Sequence, residues 1–268
     1  MERDEAIKEL QKESLQGLSD KDLLFLIESY VTKRNDYENI ASLINGDEDI
    51  IAKMVDSDRV FNKVMSCTGR ILAISPYFLF SLLLRRAFKE KRKDTKFIEK
   101  TIDALNNTKL VIPWDQNRLT GLLEDTQVSN YIANMLAQFI DSSKLFSIND
   151  DEKMSHRYIV DMITDSLDSD NLEKFYIYCH IGNYTLFLTG MIPEYIKYRY
   201  ESKRRPVDKH YYVSFGKTYY GLASEHINAR KSSLTGTLSQ LSEGFEAVSQ
   251  VLSFMNKEYL CSAKTGFA

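Results

Sequence analysis

Proline and glycine are scarce in this chain, at 4 and 11 among 268 residues, which is about half their usual combined share. So few turn residues cannot serve the many tight connections of a sandwich or barrel, and helices are implied. Cysteine is also sparse. Cys67, Cys179 and Cys261 are odd in number, far apart and without a C-x-x-C pair, which argues against a disulfide framework or a zinc knuckle. A surplus of one charge is missing as well. Against 35 basic residues stand 38 acidic ones, −3 overall, so the chain as a whole does not demand a nucleic acid or an anionic membrane, and any such partner must meet a local patch. The most apolar run, Ile71 to Leu84, is interrupted by Ser75 and Pro76 and falls short of the ~20 residues that span a bilayer. It is expected in a buried helix rather than as a transmembrane segment. Met1 to Asp22 is charged and holds no apolar segment, which gives the expectation of a cytoplasmic protein. The four histidines form neither H-x-x-x-H nor E-x-x-H pairs, so neither a metal nor a cofactor is expected.

What is present is a folding composition, 43% hydrophobic and 27% charged, with apolar residues at helical spacing almost throughout. Ser19 caps a stripe at Leu23, Leu24, Phe25, Ile27, Tyr30 and Val31. Ser75 followed by Pro76 fixes a helix start running to about Lys89. The β-branched stretch ending at Pro113 is an extended connector, and Asp115 caps the helix after it. Asp170 with Glu173 opens a helix that is apolar on nearly every side and therefore central. Pro193 starts another that must end before Pro206. At the end, Leu234, Leu238, Leu241, Phe245, Val248, Leu252, Met255 and Tyr259 alternate spacings of 4 and 3, a heptad seam. Seven of its eight flanking positions, among them Thr237, Ser242, Gly244 and Ser249, are uncharged, Glu258 being the exception. That suits packing inside one chain better than a homodimer seam, and monomer and homodimer both stay open.

The fold expectation is all-α: a multi-helix bundle of about ten to twelve helices with one long heptad-patterned C-terminal helix. Residues 1–60 hold fifteen acidic and eight basic side chains, so residues 1–70 are read as an acidic helical lobe. Residues 71–268 form the main bundle, with a single continuous domain as the alternative.

The chief anomaly is the placement of tyrosine. Ten of the 16 fall between Tyr176 and Tyr220, and such clusters line ligand pockets as well as ordinary cores. Glu173, Tyr176, His180, Asn183, Tyr184 and Phe187 share one helical stripe, in which buried His and Asn must find hydrogen-bond partners. Tyr212 and Tyr219 belong to the stripe of a later helix, where Gly216 and Gly221, like Gly182 earlier, permit close approach. Lys197, Tyr198, Arg199 and Tyr200 alternate cation and ring, and Lys203, Arg204, Arg205 and Lys209 follow. A second basic run extends from Arg85 to Lys96.

The leading functional reading is a non-catalytic helical binding or interaction protein whose aromatic C-terminal bundle holds a small molecule or a partner segment. Tyr176, Asn183, Tyr184, Tyr212, Tyr219, Arg199, Arg204 and Arg205 are its candidate contacts. One alternative is an enzyme in which His180 is acid or base toward an anionic substrate. The other is nucleic-acid or nucleotide binding through the basic and aromatic stretch from Lys197 to Lys209.

Overall fold

The computed structural model describes residues 15, 18–31, 36–44, 46–66, 74–107, 113–140, 159–202 and 207–261. Among them there are fifteen α-helices, one π-helix and no strand, so the protein is all-α. Fifteen exceeds the expected ten to twelve because polar caps at Asp56, Ser57, Asp125 and His226 cut helical sequence into short pieces. The expected lobe boundary at residue 70 and the residues Cys67, His156, Arg204 and Arg205 lie outside the described residues. No described helix is long and apolar enough to cross a membrane.

The chain divides into two compact units. The first comprises the described parts of Met1–Glu90, Ser129–Ala137 and Met255–Ala268. It holds α1 (Asp20–Tyr30), α2 (Tyr37–Ile44), α3 (Glu48–Val55), α4 (Asp58–Ser66) and nearly all of α5 (Pro76–Lys91). Ser19 accepts from the Asp22 amide and donates to its carboxylate at 2.8 Å, while the other Asp22 oxygen accepts from the Ser75 amide at 2.7 Å. One buried carboxylate thus ties the start of α1 to the start of α5. Ser75 caps α5 through the Phe78 amide at 3.1 Å, and the helix buries Tyr77, Phe78, Leu83, Leu84 and Phe88. Each such side chain contributes about 1.5–3 kcal/mol on leaving water.

The second unit comprises the described parts of Lys91–Val128 and Gln138–Phe254. It holds α6 (Thr95–Asn106), α7 (Gln116–Glu124), α9 (Ile159–Asp168), α10 (Asn171–Met191), α11 (Pro193–Glu201), α12 (Lys209–Glu225), α13 (Ile227–Lys231), α14 (Thr235–Glu243) and nearly all of α15 (Phe245–Met255). Between α7 and α9, α8 (Thr126–Gln138) falls mostly to the first unit. The centre of the second unit is α12, packed against both α10 and α14.

The single long C-terminal helix is not formed. The 26-residue seam is carried by α14, α15 and a π-helix, Asn256–Cys261. The break falls at Gly244, where a Cβ would meet the Leu122 side chain and come within 3.2 Å of Trp114. The side chains of Leu122 and Trp114 thus leave no room for a side chain at the break, and heptad spacing does not imply one helix here. All eight seam side chains are nevertheless buried. The flanking positions serve the same packing. Thr237 and Ser249 are buried, and the Ser242 hydroxyl donates to the Lys217 carbonyl on α12 at 2.7 Å.

Candidate functional site

Asp170 opens α10 by accepting from the Leu172 and Glu173 amides, both at 2.9 Å. The polar stripe beyond it meets different neighbours at successive turns. Tyr176 is half-buried against Phe175, with ring centroids 6.0 Å apart. His180 is only 9% exposed and lies edge-on to Phe139 at 5.8 Å, while Phe139 is also edge-on to Phe187 at 5.5 Å. Tyr184 is buried. Asn183 accepts a 2.8 Å hydrogen bond from the hydroxyl of Tyr220, itself fully buried on α12.

That bond depends on glycine. A Cβ on Gly182 would stand 2.6 Å from the Tyr220 ring, and one on Gly216 would stand 2.6 Å from the Thr185 hydroxyl and collide with Phe245. Missing side chains let α10 and α12 close until one ring fills the gap. The sequence left open whether these glycines give helix approach or ligand access, and at these two positions the space is taken by Tyr220, Thr185 and Phe245. Burial pushes the Tyr220 phenol far above its ordinary titration range, with Cys179 adding to it.

The remaining rings form a run on α12. Tyr211 lies 4.5 Å from Phe215, Phe215 stacks 6.1 Å from Tyr219, and Tyr219 meets Tyr178 of α10 edge-on at 5.4 Å. Tyr212 is buried and edge-on to Tyr211 at 5.4 Å. Burial raises the Tyr219 pKa, and the neighbouring Tyr178 and Tyr211 reinforce the shift.

Helix α11 differs from all of these. Of its nine residues only Ile196 is buried, and Tyr195, Tyr198 and Tyr200 are 44%, 54% and 51% exposed. Arg199 lies 5.4 Å from the centroid of the Tyr195 ring and donates to its hydroxyl at 2.5 Å. Tyr195, Tyr198 and Arg199 share one face by their 3 and 4 spacing. Lys197 and Glu201 pair across another at 4.0 Å, both well exposed. The alternation of cation and ring is plain in the sequence, but Tyr195 and Tyr198 were not among the candidate contacts. The available signal was that a nine-residue helix offers one apolar anchor against three tyrosines.

The other basic run is engaged within the chain. Arg85 holds Asp56 through two bonds of 2.7 Å, Lys89 donates to the Asp56 carbonyl at 3.3 Å, and Arg86 pairs with both Glu90 and Asp58. The Arg86 guanidinium also lies 4.8 Å from the Phe61 ring centroid, and Phe61 meets Tyr259 of the π-helix edge-on at 5.1 Å. A cleft between Asp56, Ser57, Phe61, Arg85, Arg86 and Lys89 encloses about 10 Å³, space for a single water. Farther along, Lys91 pairs with Asp94 at 3.0 Å and Arg92 with Glu124 at 2.5 Å. No group of three or more His, Cys, Asp or Glu that could hold a metal occurs among the described residues.

These elements define an all-α protein in which rings fill the contact between α10 and α12 while α11 leaves three tyrosines about half exposed. In comparison with known proteins the chain has no match, whether with a family model, a curated protein or a solved structure.

Proposed function

We propose that this chain is a non-catalytic helical binding protein that presents an aromatic surface of its C-terminal helices to a partner segment. The observation that carries the reading is the trio Tyr195, Tyr198 and Tyr200, three rings left about half exposed on one short helix. Tyrosine joins a large rigid contact area to a polar tip at low entropy cost, and it is enriched where proteins meet partners. The interior supports a surface partner over an enclosed small molecule, because Tyr220 and Phe245 occupy the space beside Gly182 and Gly216. Enclosure of His180 beside Phe139 favours a core role over acid–base chemistry on a soluble anion.

Parallel selections of a random peptide library and a random single-stranded DNA pool test this, run against the wild type and against the triple variant Tyr195→Ala, Tyr198→Ala, Tyr200→Ala. The expected result is enrichment on the wild type that the triple variant loses while keeping its helical circular dichroism. Enrichment that the triple variant retains, or no enrichment from either library, overturns the reading. A metabolite panel that raises the melting temperature of both proteins equally would move the site back to the interior.

A further inference from the structure

We infer that the outer face of α9 (Ile159–Asp168) docks an amphipathic helix of a partner protein whose apolar stripe is edged with lysine or arginine. This second surface lies apart from the reading of α11 and does not depend on it. Two observations carry it: an apolar stripe that the chain leaves in water, and the sign of the charge along its edge.

Helix α9 packs against α10 and buries Ile159, Met162 and Ser166. Its next face stays open. Val160 is 59% and Leu167 72% exposed, and being seven residues apart they lie nearly above one another after two turns. Half-buried Ile163 and exposed Thr164 lie between them. These are the i, i+3, i+4 and i+7 positions through which an amphipathic helix meets a partner. The Thr164 hydroxyl donates to the Val160 carbonyl at 2.9 Å, so its one donor asks nothing of that partner. Single exposed leucines are ordinary, but an apolar stripe running the length of a helix marks an interaction face.

Asp161 and Asp168, also seven apart and both exposed, line one edge of the stripe, with half-buried Asp165 beyond them. Every charged residue from Ile159 to Glu173 is acidic: Asp161, Asp165, Asp168, Asp170 and Glu173. The nearest cations in sequence are Lys174, on α10, and Arg157, outside the described residues. This sign selects the occupant. A second copy paired antiparallel would set the acidic edge against itself, and a nucleic acid or an anionic membrane would be repelled. A convex helix face encloses no small molecule. Aliphatic side chains of a partner helix fit the grooves that 3 and 4 spacing makes, and cations along its edge meet the two aspartates. At ten residues, α9 is about 15 Å long, so the contact is small and the complex transient.

The test is fluorescence anisotropy of the full-length protein with a labelled helical peptide of about 18 residues, made of leucine and lysine with its leucines at the same i, i+3, i+4 and i+7 spacing. The same peptide with glutamate in place of lysine is the control. The wild type is expected to bind the first and not the second, and more weakly at about 200 than at about 50 mM salt. Leu167→Ser and Val160→Ser should each weaken binding, Leu167→Ser about tenfold. Both should melt near the wild-type temperature, because both side chains are more than half exposed. Asp161→Asn with Asp168→Asn should weaken binding at low salt and flatten its salt dependence. No binding at low salt overturns the inference, as does equal binding of the glutamate peptide or a Leu167→Ser variant that binds as tightly as wild type. A wild-type dimer that Leu167→Ser turns into a monomer in light scattering overturns it too, by seating a second copy on this face. The triple variant Tyr195→Ala, Tyr198→Ala, Tyr200→Ala should bind the lysine peptide as wild type does, and loss there would put the peptide on α11 and overturn the assignment to α9.

Discussion

The hydroxyl of Tyr220 on α12 donates to Oδ1 of Asn183 on α10 at 2.8 Å, and both side chains are buried. Each residue answers the other's polar requirement, which lets an amide sit in the centre of an apolar helix. Tyr220→Phe removes the donor and leaves the Asn183 oxygen buried, so it should lower stability by about 1–3 kcal/mol. Replacing both, Tyr220→Phe with Asn183→Leu, should recover part of that loss, because the Asn183 oxygen is then no longer left without its Tyr220 donor. Urea unfolding of the two single variants and the double measures the coupling. Additive effects would mean that the bond contributes nothing of its own.

Gly244 separates local propensity from packing. On propensity alone, alanine at this position should join α14 to α15 and stabilise by up to about 1 kcal/mol. Its Cβ would instead collide with Leu122 and approach the Gln240 carbonyl to 3.1 Å. Gly244→Ala is therefore expected to destabilise, by about 1–3 kcal/mol, as read from the denaturation midpoint.

Leu241 is fully buried on the seam. Leu241→Asp places a carboxylate where its desolvation is not offset, and the chain should unfold, at a cost above about 4 kcal/mol. Light scattering together with circular dichroism checks this. A folded monomeric variant beside a dimeric parent would show instead that the seam joins two copies.

His226 supplies a pH dependence whose sign follows from its environment. Its Nδ1 accepts from the Asn228 amide at 3.2 Å to start α13, and its ring stacks on Phe175 at 5.5 Å. Burial lowers its pKa from the ordinary 6.5. The unfolded chain therefore takes up the proton first, and the histidine's contribution, complete above about pH 6.5, is lost as pH falls through the folded value. Protonation also removes the acceptor that caps α13. His226→Asn keeps a cap acceptor and removes the titration. Stability of this variant should be flatter than wild type just below pH 6.5, and melting temperatures across that interval test it.

Three levels of this protein were unequally visible in its residues. The all-α class and the starts of α1, α5, α7, α10 and α11 were determined by the sequence itself, because a cap is a local device. Ser19, Ser75, Asp115 and Asp170 each bond an amide no more than three residues on. Seam burial was legible too, since periodicity tells which residues point together. Periodicity does not tell what stands opposite them. That is why the seam's break at Gly244, where Leu122 stands against the backbone, was not visible. The same holds for the partner of Asn183, 37 residues away, and for the basic run of α5, whose Arg85 meets Asp56 at a separation of 29. The candidate site divides in the same way. Composition located the rings and cations between Tyr176 and Tyr220, but tertiary packing alone decided which went inward and which stayed in water. A ring's exposure depends on the helices packed against it. On α10 and α12 those neighbours enclose Tyr184, Tyr212 and Tyr220, whereas α11 is anchored by Ile196 and leaves Tyr195, Tyr198 and Tyr200 about half exposed.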